Sequence, residues 1–280
     1  MASFRFVFAD VFTDTPLEGN QVAVFTDARD ISEDVLQPLA KEIGFSETVY
    51  VYPAGDGAHA RIRIFTPASE LPFAGHPVLG TAFVLGAPLQ LAEIRLETRA
   101  GVVPVVLERE GARIVFGWME QPVPEWEPFA QADELLQVLG VQSSLSVELY
   151  HIGPEFVYVA LGSVDEVAGL APDFRALAKL TSAGVNCFAG AGSRWKTRMF
   201  APMQGVPEDP ATGSAAGPLA IHLARHGRIA YGDKIEISQG AEIGRPSTLY
   251  ARVHGDGERV ERVEVGGSAV VVARGEYKLG

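Results

Sequence analysis

Residues 206–223 read V-P-E-D-P-A-T-G-S-A-A-G-P-L-A-I-H-L, and this stretch decides the fold. Two carboxylates, Glu208 and Asp209, precede a Gly213-Ser214 step flanked by small residues, and the apolar positions Leu219, Ile221 and Leu223 follow. That order describes a loop entering a helix. Ser214 is a favourable N-cap type, Pro218 falls in the first turn where a missing N–H costs least, and Gly227 stands where the helix should stop. The expected helix therefore aims backbone N–H groups at whatever lies beside Gly213 and Ser214. Such an end carries roughly half a positive charge and favours a bound anion.

Residues 60–82, A-R-I-R-I-F-T-P-A-S-E-L-P-F-A-G-H-P-V-L-G-T-A, form a related stretch. Arg63, Phe65, Pro67 and Pro72 recur at one constant offset as Arg198, Phe200, Pro202 and Pro207. After a short insertion in the later copy, Gly75-His76 falls on Gly213-Ser214. Each copy reads as strand, Pro-bracketed loop, Gly-polar step and helix. Four fixed identities argue for one divergent duplication over chance, and an old duplication implies two similar domains with a cleft between them.

The chain has 280 residues, 47% hydrophobic and 21% charged, which suits two medium-sized globular domains. A net charge of −12, with no cluster of Lys and Arg, argues against a nucleic-acid partner. Asp10 interrupts the N-terminal apolar run, so no signal peptide is expected, and no apolar run approaches membrane-spanning length. A lone Cys187 excludes an intramolecular disulfide and fits a reducing cytoplasm.

Strands greatly outnumber helices, and one long helix follows the Gly-polar loop in each half. The expected class is α+β, each half a mostly antiparallel, barrel-like sheet wrapped around a central helix. Residues 121–129, Q-P-V-P-E-W-E-P-F, are the best linker candidate, which divides the chain into domains 1–124 and 125–280, with the last strands free to pack back on the first domain. Three strand pieces are expected after the second central helix. The last two, V-E-R-V-E-V and S-A-V-V-V-A, read as a hairpin turned at Gly266-Gly267.

Glu47 is the leading catalytic candidate. It sits between a helix capped at Ser32 and a strand over 48–52, and Phe45, Val49, Tyr50 and Val51 surround it with apolar and aromatic groups that favour proton transfer by raising a carboxyl pKa. His76 and Asp209 lie in the two related loops beside the helix starts. Glu208 is expected to face solvent. Ser214 and Asn20 suit either a local cap or turn, or a hydrogen bond to a substrate. His222 and His226 stand one helical turn apart like zinc ligands, but no HExxH glutamate and no third ligand are evident, so no metal is expected. Dinucleotide and P-loop patterns are missing, and Ser214 lacks the G-x-S-x-G elbow of a hydrolase. Two helix starts, one histidine and one or two carboxylates suit binding a small carboxylate and moving protons on carbon.

Four spaced motifs, L-E-G-N-Q-V-A-V-F, F-S-E-T-V-Y-V, F-T-P-A-S-E-L-P-F-A-G-H-P-V-L-G-T-A and E-D-P-A-T-G-S-A-A-G-P-L-A, resemble the PhzF family, a phenazine-biosynthesis group with the diaminopimelate epimerase fold. The resemblance covers essentially the whole chain. It implies a homodimeric, cofactor-free isomerase that converts trans-2,3-dihydro-3-hydroxyanthranilate to an aminoketone. Carried over, Glu47 takes the C3 proton and returns it to C1, while His76 and Asp209 position the amino and hydroxyl groups. Asn20, Ser46, Gly75, Gly213 and Ser214 hold the substrate, with its carboxylate near Gly213-Ser214. Gln21 departs from the family, which commonly has Pro after Gly-Asn. The fold's epimerases use a pair of cysteines at the Gly-polar loops, whereas Cys187 lies elsewhere, which disfavours two-thiol racemisation. Isomerisation of another small amino or hydroxy acid, or non-catalytic ligand binding, are the competing readings.

Overall fold

The computed structural model describes residues 2–257 and 259–279. Its contacts divide the chain into one unit of Met1–Glu120 with Gly266–Gly280 and a second of Gln121–Val265. The second unit thus opens inside the Pro-rich segment.

In the first unit, β1 (Ala2–Val11), β2 (Asn20–Phe25), α1 (Glu33–Ile43), β3 (Glu47–Tyr52), β4 (Ala60–Phe65), β5 (Glu70–Leu71), α2 (Gly75–Leu89), β6 (Glu93–Thr98), β7 (Gly101–Glu110) and β8 (Arg113–Gln121) follow in order. β1 and β2 are antiparallel, β2 and β3 are parallel across α1, and β3, β4 and β5 are antiparallel. β4 and β6 are then parallel across α2, and β6, β7 and β8 continue antiparallel.

The second unit begins with β9 (Glu125–Pro128), α3 (Ala132–Leu139), β10 (Glu148–His151), β11 (Glu155–Ala160), α4 (Val164–Ala168), α5 (Phe174–Leu180), β12 (Gly184–Ala191), β13 (Arg194–Ala201) and β14 (Val206–Asp209). It continues through α6 (Gly213–Arg225), β15 (Lys234–Gln239), β16 (Ser247–Asp256) and β17 (Arg259–Gly267). Its ladders repeat the pattern: β10/β11 antiparallel, β11/β12 parallel across two helices, β12/β13 and β13/β14 antiparallel, β13/β15 parallel across α6, and β15/β16 antiparallel. The fold is α+β, with a mixed, mostly antiparallel sheet and a central helix in each unit.

Among the described residues, four strands follow α6, not three. The last, β18 (Ala269–Leu279), is antiparallel to β1 from Ala2↔Leu279 to Val11↔Ala269. Gly266-Gly267 therefore marks passage back into the first unit rather than the tip of a hairpin.

The central helices are buried over most of their length, α6 nearly throughout and α2 up to its exposed last turn, because their sequences are largely apolar or small on every side. α2 packs against β1, β2, β3, β6, β7 and β18. The helix starts differ from the sequence reading. Thr212, not Ser214, is the N-cap of α6, and its side chain makes no capping bond, which leaves Pro218 in the second turn. The end is as expected. Gly227 adopts φ 66°, and the N–H groups of Gly227 and Arg228 return to the carbonyls of Ala224 and Leu223.

Paired ion pairs locate the insertion between the two copies. Arg63 is bidentate to Glu70, both contacts at 2.8 Å, and its guanidinium lies 5.1 Å from the Phe65 ring. Arg198 is bidentate to Glu208, both at 2.8 Å, and lies 5.0 Å from Phe200. Glu208 therefore does not face solvent. In the ladders, Leu71 pairs with Ile64 and Asp209 with Met199. The extra residues thus belong to the turn containing the 3-10 helix Pro202–Gln204, before Glu208. Pro72 then corresponds to Pro210, not Pro207, and Asp209 to Leu71, while His76 corresponds to Ser214.

Arg198 and Glu208 are each 8% exposed, and Arg198 also donates to the carbonyls of Ala168 and Leu170. Arg198→Met strands a buried carboxylate and two carbonyls, so chemical denaturation should show a loss of roughly 3–5 kcal/mol. The double variant Arg198→Met/Glu208→Leu should lose less than the single.

Candidate active site

Gly19 adopts φ 68°, and a Cβ there would stand 2.4 Å from the Val11 carbonyl oxygen. This turn delivers Asn20, 1% exposed, to the start of β2. Helix α1 ends at Gly44 in the left-handed conformation, and the chain then enters β3 at Glu47, which pairs with Val22. His76 is the second residue of α2. Three segments distant in sequence therefore meet within the first unit.

Their hydrogen bonds orient the Asn20 amide and select the His76 tautomer. Ser46 Oγ donates to Asn20 Oδ1 at 2.7 Å, which turns the Asn20 amide nitrogen toward His76 Nδ1 at 3.2 Å. Nδ1 is consequently an acceptor, and the imidazole proton resides on Nε2. Nε2 lies 3.2 Å from the Gln21 carbonyl oxygen and 3.2 Å from Glu47 Oε2. The contact uses the backbone carbonyl of Gln21, a group that proline also possesses, so the departure at this position leaves the contact intact. Burial depresses the His76 pKa from 6.5 to about 3, against a smaller opposing effect of the Gln21 carbonyl. His76 is thus a neutral N–H donor. An imidazolium at this distance would lock Glu47 into an ion pair, whereas a neutral imidazole leaves that carboxyl able to take and give a proton. The Glu47 side chain is 14% exposed, sheltered but reachable.

Asn20 and Ser46, expected among the substrate-binding residues, are engaged with each other and with His76. Gly75 begins α2 behind Ala74, which offers no capping side chain. Neither N-cap residue, Ala74 or Thr212, caps its helix through its side chain, and a helix start favours an anion.

In the second unit, Asp209 is 8% exposed at the end of β14, and its Oδ2 accepts from Thr212 Oγ1 at 2.6 Å. Gly213 and Ser214 open α6, both buried, and Gln121 Nε2 donates to the Gly213 carbonyl at 2.9 Å. Sequence reasoning missed Thr212 and Gln121, since neither residue type announces a role without its partner.

The duplicated ladders let each group be compared with its counterpart. Asn20, Ser46, Glu47 and His76 correspond to Pro154, Ala183, Gly184 and Ser214. The acid and its histidine relay have no equivalents there. A Cβ at Gly184 would meet Met199 Sδ and Phe156 Cδ1, each at 2.9 Å.

His222 and His226 do have a third neighbour, Glu148, with ligand atoms within 4.8 Å of one another. This corrects the expectation that no third ligand exists. However, Arg225 Nη1 lies 2.7 Å from Glu148 Oε2, and His222 Nδ1 lies 3.1 Å from it. Burial alone would raise the Glu148 pKa, but hydrogen bonds from His222 and Arg225, and their charges, outweigh it and hold the carboxyl well below the usual range. A guanidinium thus supplies the positive charge, and the cluster ties β10 to α6. Cys187 is buried, and burial pushes its thiol up to about 12, the state of an unreactive core sulfur. No helix among the described residues is long and apolar enough to cross a membrane.

Residues 9–275 match the family model PhzC-PhzF, described as phenazine biosynthesis-like protein. A Pseudomonas aeruginosa protein named trans-2,3-dihydro-3-hydroxyanthranilate isomerase is 53% identical, the alignment covering 98% of this chain and 99% of that one. A Pseudomonas fluorescens protein of the same name is 50% identical over the same shares. Among solved structures, a PhzF-family phenazine biosynthesis protein from Bacillus anthracis superposes with a TM-score of 0.85 at 25% identity, covering 100% of both chains.

The depressed His76 pKa has a measurable consequence. The unfolded chain binds a proton at this histidine below pH 6.5 while the folded chain refuses it until about pH 3, so stability falls as pH drops through that window. Urea unfolding of the wild type and His76→Asn across this range should show a loss in the wild type, on the order of a few kcal/mol, that the variant lacks.

Proposed function

Since this chain belongs to the PhzC-PhzF family of phenazine biosynthesis-like proteins, we propose that it is an isomerase converting trans-2,3-dihydro-3-hydroxyanthranilate to 6-amino-5-oxocyclohex-2-ene-1-carboxylate without a cofactor. The observation that carries this reading is the Glu47 carboxyl, 3.2 Å from an imidazole that burial keeps neutral.

Glu47 takes the proton from C3 of the ring. The released electron pair moves through the diene, forming the C3=C4 and C5=C6 double bonds as C4=C5 and C1=C6 break, and the Glu47 acid returns its proton to C1. The product is an enol, which becomes the ketone as a proton leaves oxygen and another is added at C4. A carboxyl in a sheltered site, beside a neutral imidazole, suits both halves of this shuttle. His76 stays neutral throughout, its Nε2 proton held by the Gln21 carbonyl beside the Glu47 carboxyl. Asp209 and His76 position the amino and hydroxyl groups, and Gly75, Gly213 and Ser214 serve the substrate's polar groups through uncapped helix starts. Homodimeric assembly and a cytoplasmic location belong to the same proposal, the latter supported by a single, unpaired cysteine.

Glu47→Gln preserves size and shape but cannot accept the proton. Incubated with trans-2,3-dihydro-3-hydroxyanthranilate, it should turn over roughly 10²–10⁴-fold more slowly than wild type, followed by absorbance and product mass. Full retained turnover removes Glu47 as the carrier. A wild type that leaves this compound unchanged, yet isomerises another small amino or hydroxy acid, assigns the scaffold a different substrate. Deuterium at C3 of the substrate should appear in part at C1 of the product, because one carboxyl handles both transfers.

A further inference from the structure

Thr212 stands at the N-cap of α6, where a threonine hydroxyl ordinarily bonds to the backbone N–H groups of the first turn. Here it does not. Its Oγ1 donates instead to Asp209 Oδ2 at 2.6 Å. Gln239, at the end of β15 and 2% exposed, fixes that orientation. The two amide protons of Gln239 go to the Asp209 carbonyl at 2.7 Å and to Thr212 Oγ1 at 3.0 Å. Its Oε1 accepts from the Thr212 N–H and from Thr197 Oγ1, both at 3.2 Å. All four hydrogen-bonding positions of the Gln239 amide are used, so it cannot flip without losing them. With the Thr212 oxygen accepting from Gln239, its proton is directed to Asp209.

The first unit provides an internal control. By the ladder registers, Asp209, Thr212 and Gln239 correspond to Leu71, Ala74 and Thr98. Thr98 Oγ1 turns to the Gly101 carbonyl. The first unit thus forms the same strand, loop and helix with none of the three polar partners. The hydroxyl and the amide are therefore present where an aspartate stands at the loop and not where a leucine does.

We propose that Thr212 and Gln239 are positioning residues that aim the Asp209 carboxylate and hold it ionised for the substrate. This rests on the reading above in which Asp209 serves the substrate. The hydroxyl proton on Oδ2 favours the charged form, so its removal makes Asp209 easier to protonate and less well aimed.

The test uses variants that copy the first unit, Thr212→Ala and Gln239→Thr, together with Thr212→Ser and Asp209→Asn, each assayed as full-length enzyme with trans-2,3-dihydro-3-hydroxyanthranilate across pH. Thr212→Ala should lower kcat/KM about tenfold or more and move the acid limb of its pH profile up by about one unit, a tenfold change in proton affinity. Thr212→Ser should restore both, and Gln239→Thr should shift the limb in the same direction. An unshifted profile with wild-type kcat/KM in folded Thr212→Ala, beside an impaired Asp209→Asn, overturns the positioning role alone. Full activity of Asp209→Asn overturns the role of Asp209 itself and this inference with it. If Thr212→Ala fails to fold, the pH profile of Gln239→Thr decides: a shifted limb supports the role, an unshifted one ends it.

Discussion

A helix that is apolar around its whole circumference has no face to offer water, and this constraint organises both units. Each Å² of apolar surface removed from water is worth about 25 cal/mol, so the full gain over α2 and α6 comes only when every side is covered. Strands must therefore run around each helix, and in each unit one parallel crossover precedes the helix and a second contains it. The enclosed helix then holds its first turn rigidly at the end of the short strand that precedes it. Chemistry placed on that turn inherits the rigidity of the core.

Much of this was legible in the residues. Gly-polar steps followed by Leu, Ile and Val announced both central helices, and the repeated Arg-x-Phe announced the duplication, because those residues act locally. What escaped notice depended on distant partners. Thr212 reads as an ordinary loop residue until Gln239 is brought beside it, and Pro207 mimics the counterpart of Pro72 until the Arg198–Glu208 pair fixes the register. Glu148 lies far in sequence from His222, so the third acidic neighbour could not be inferred from helical spacing. Asn20 and Ser46 were singled out as polar groups for a ligand, yet the geometry couples them to His76. Sequence can name a polar residue near a site; its partner is decided by the fold.

The two units have kept their ladders and exchanged their polar groups. The first carries Asn20, Ser46, Glu47 and His76 where the second has Pro154, Ala183, Gly184 and Ser214. The second carries Asp209, Thr212 and Gln239 where the first has Leu71, Ala74 and Thr98. Duplication supplied two equal scaffolds that then specialised apart. One is built around a carboxyl beside a neutral histidine, the other around a carboxylate held by a hydroxyl.

The crowding at Gly184 makes this division hard to reverse. A side chain there must push aside Met199 or Phe156, so an acid at the place that Glu47 holds in the duplicated pattern would need its neighbours to repack. A bare backbone at the head of β12 is thus filled space already, its volume taken by a thioether and a phenyl ring.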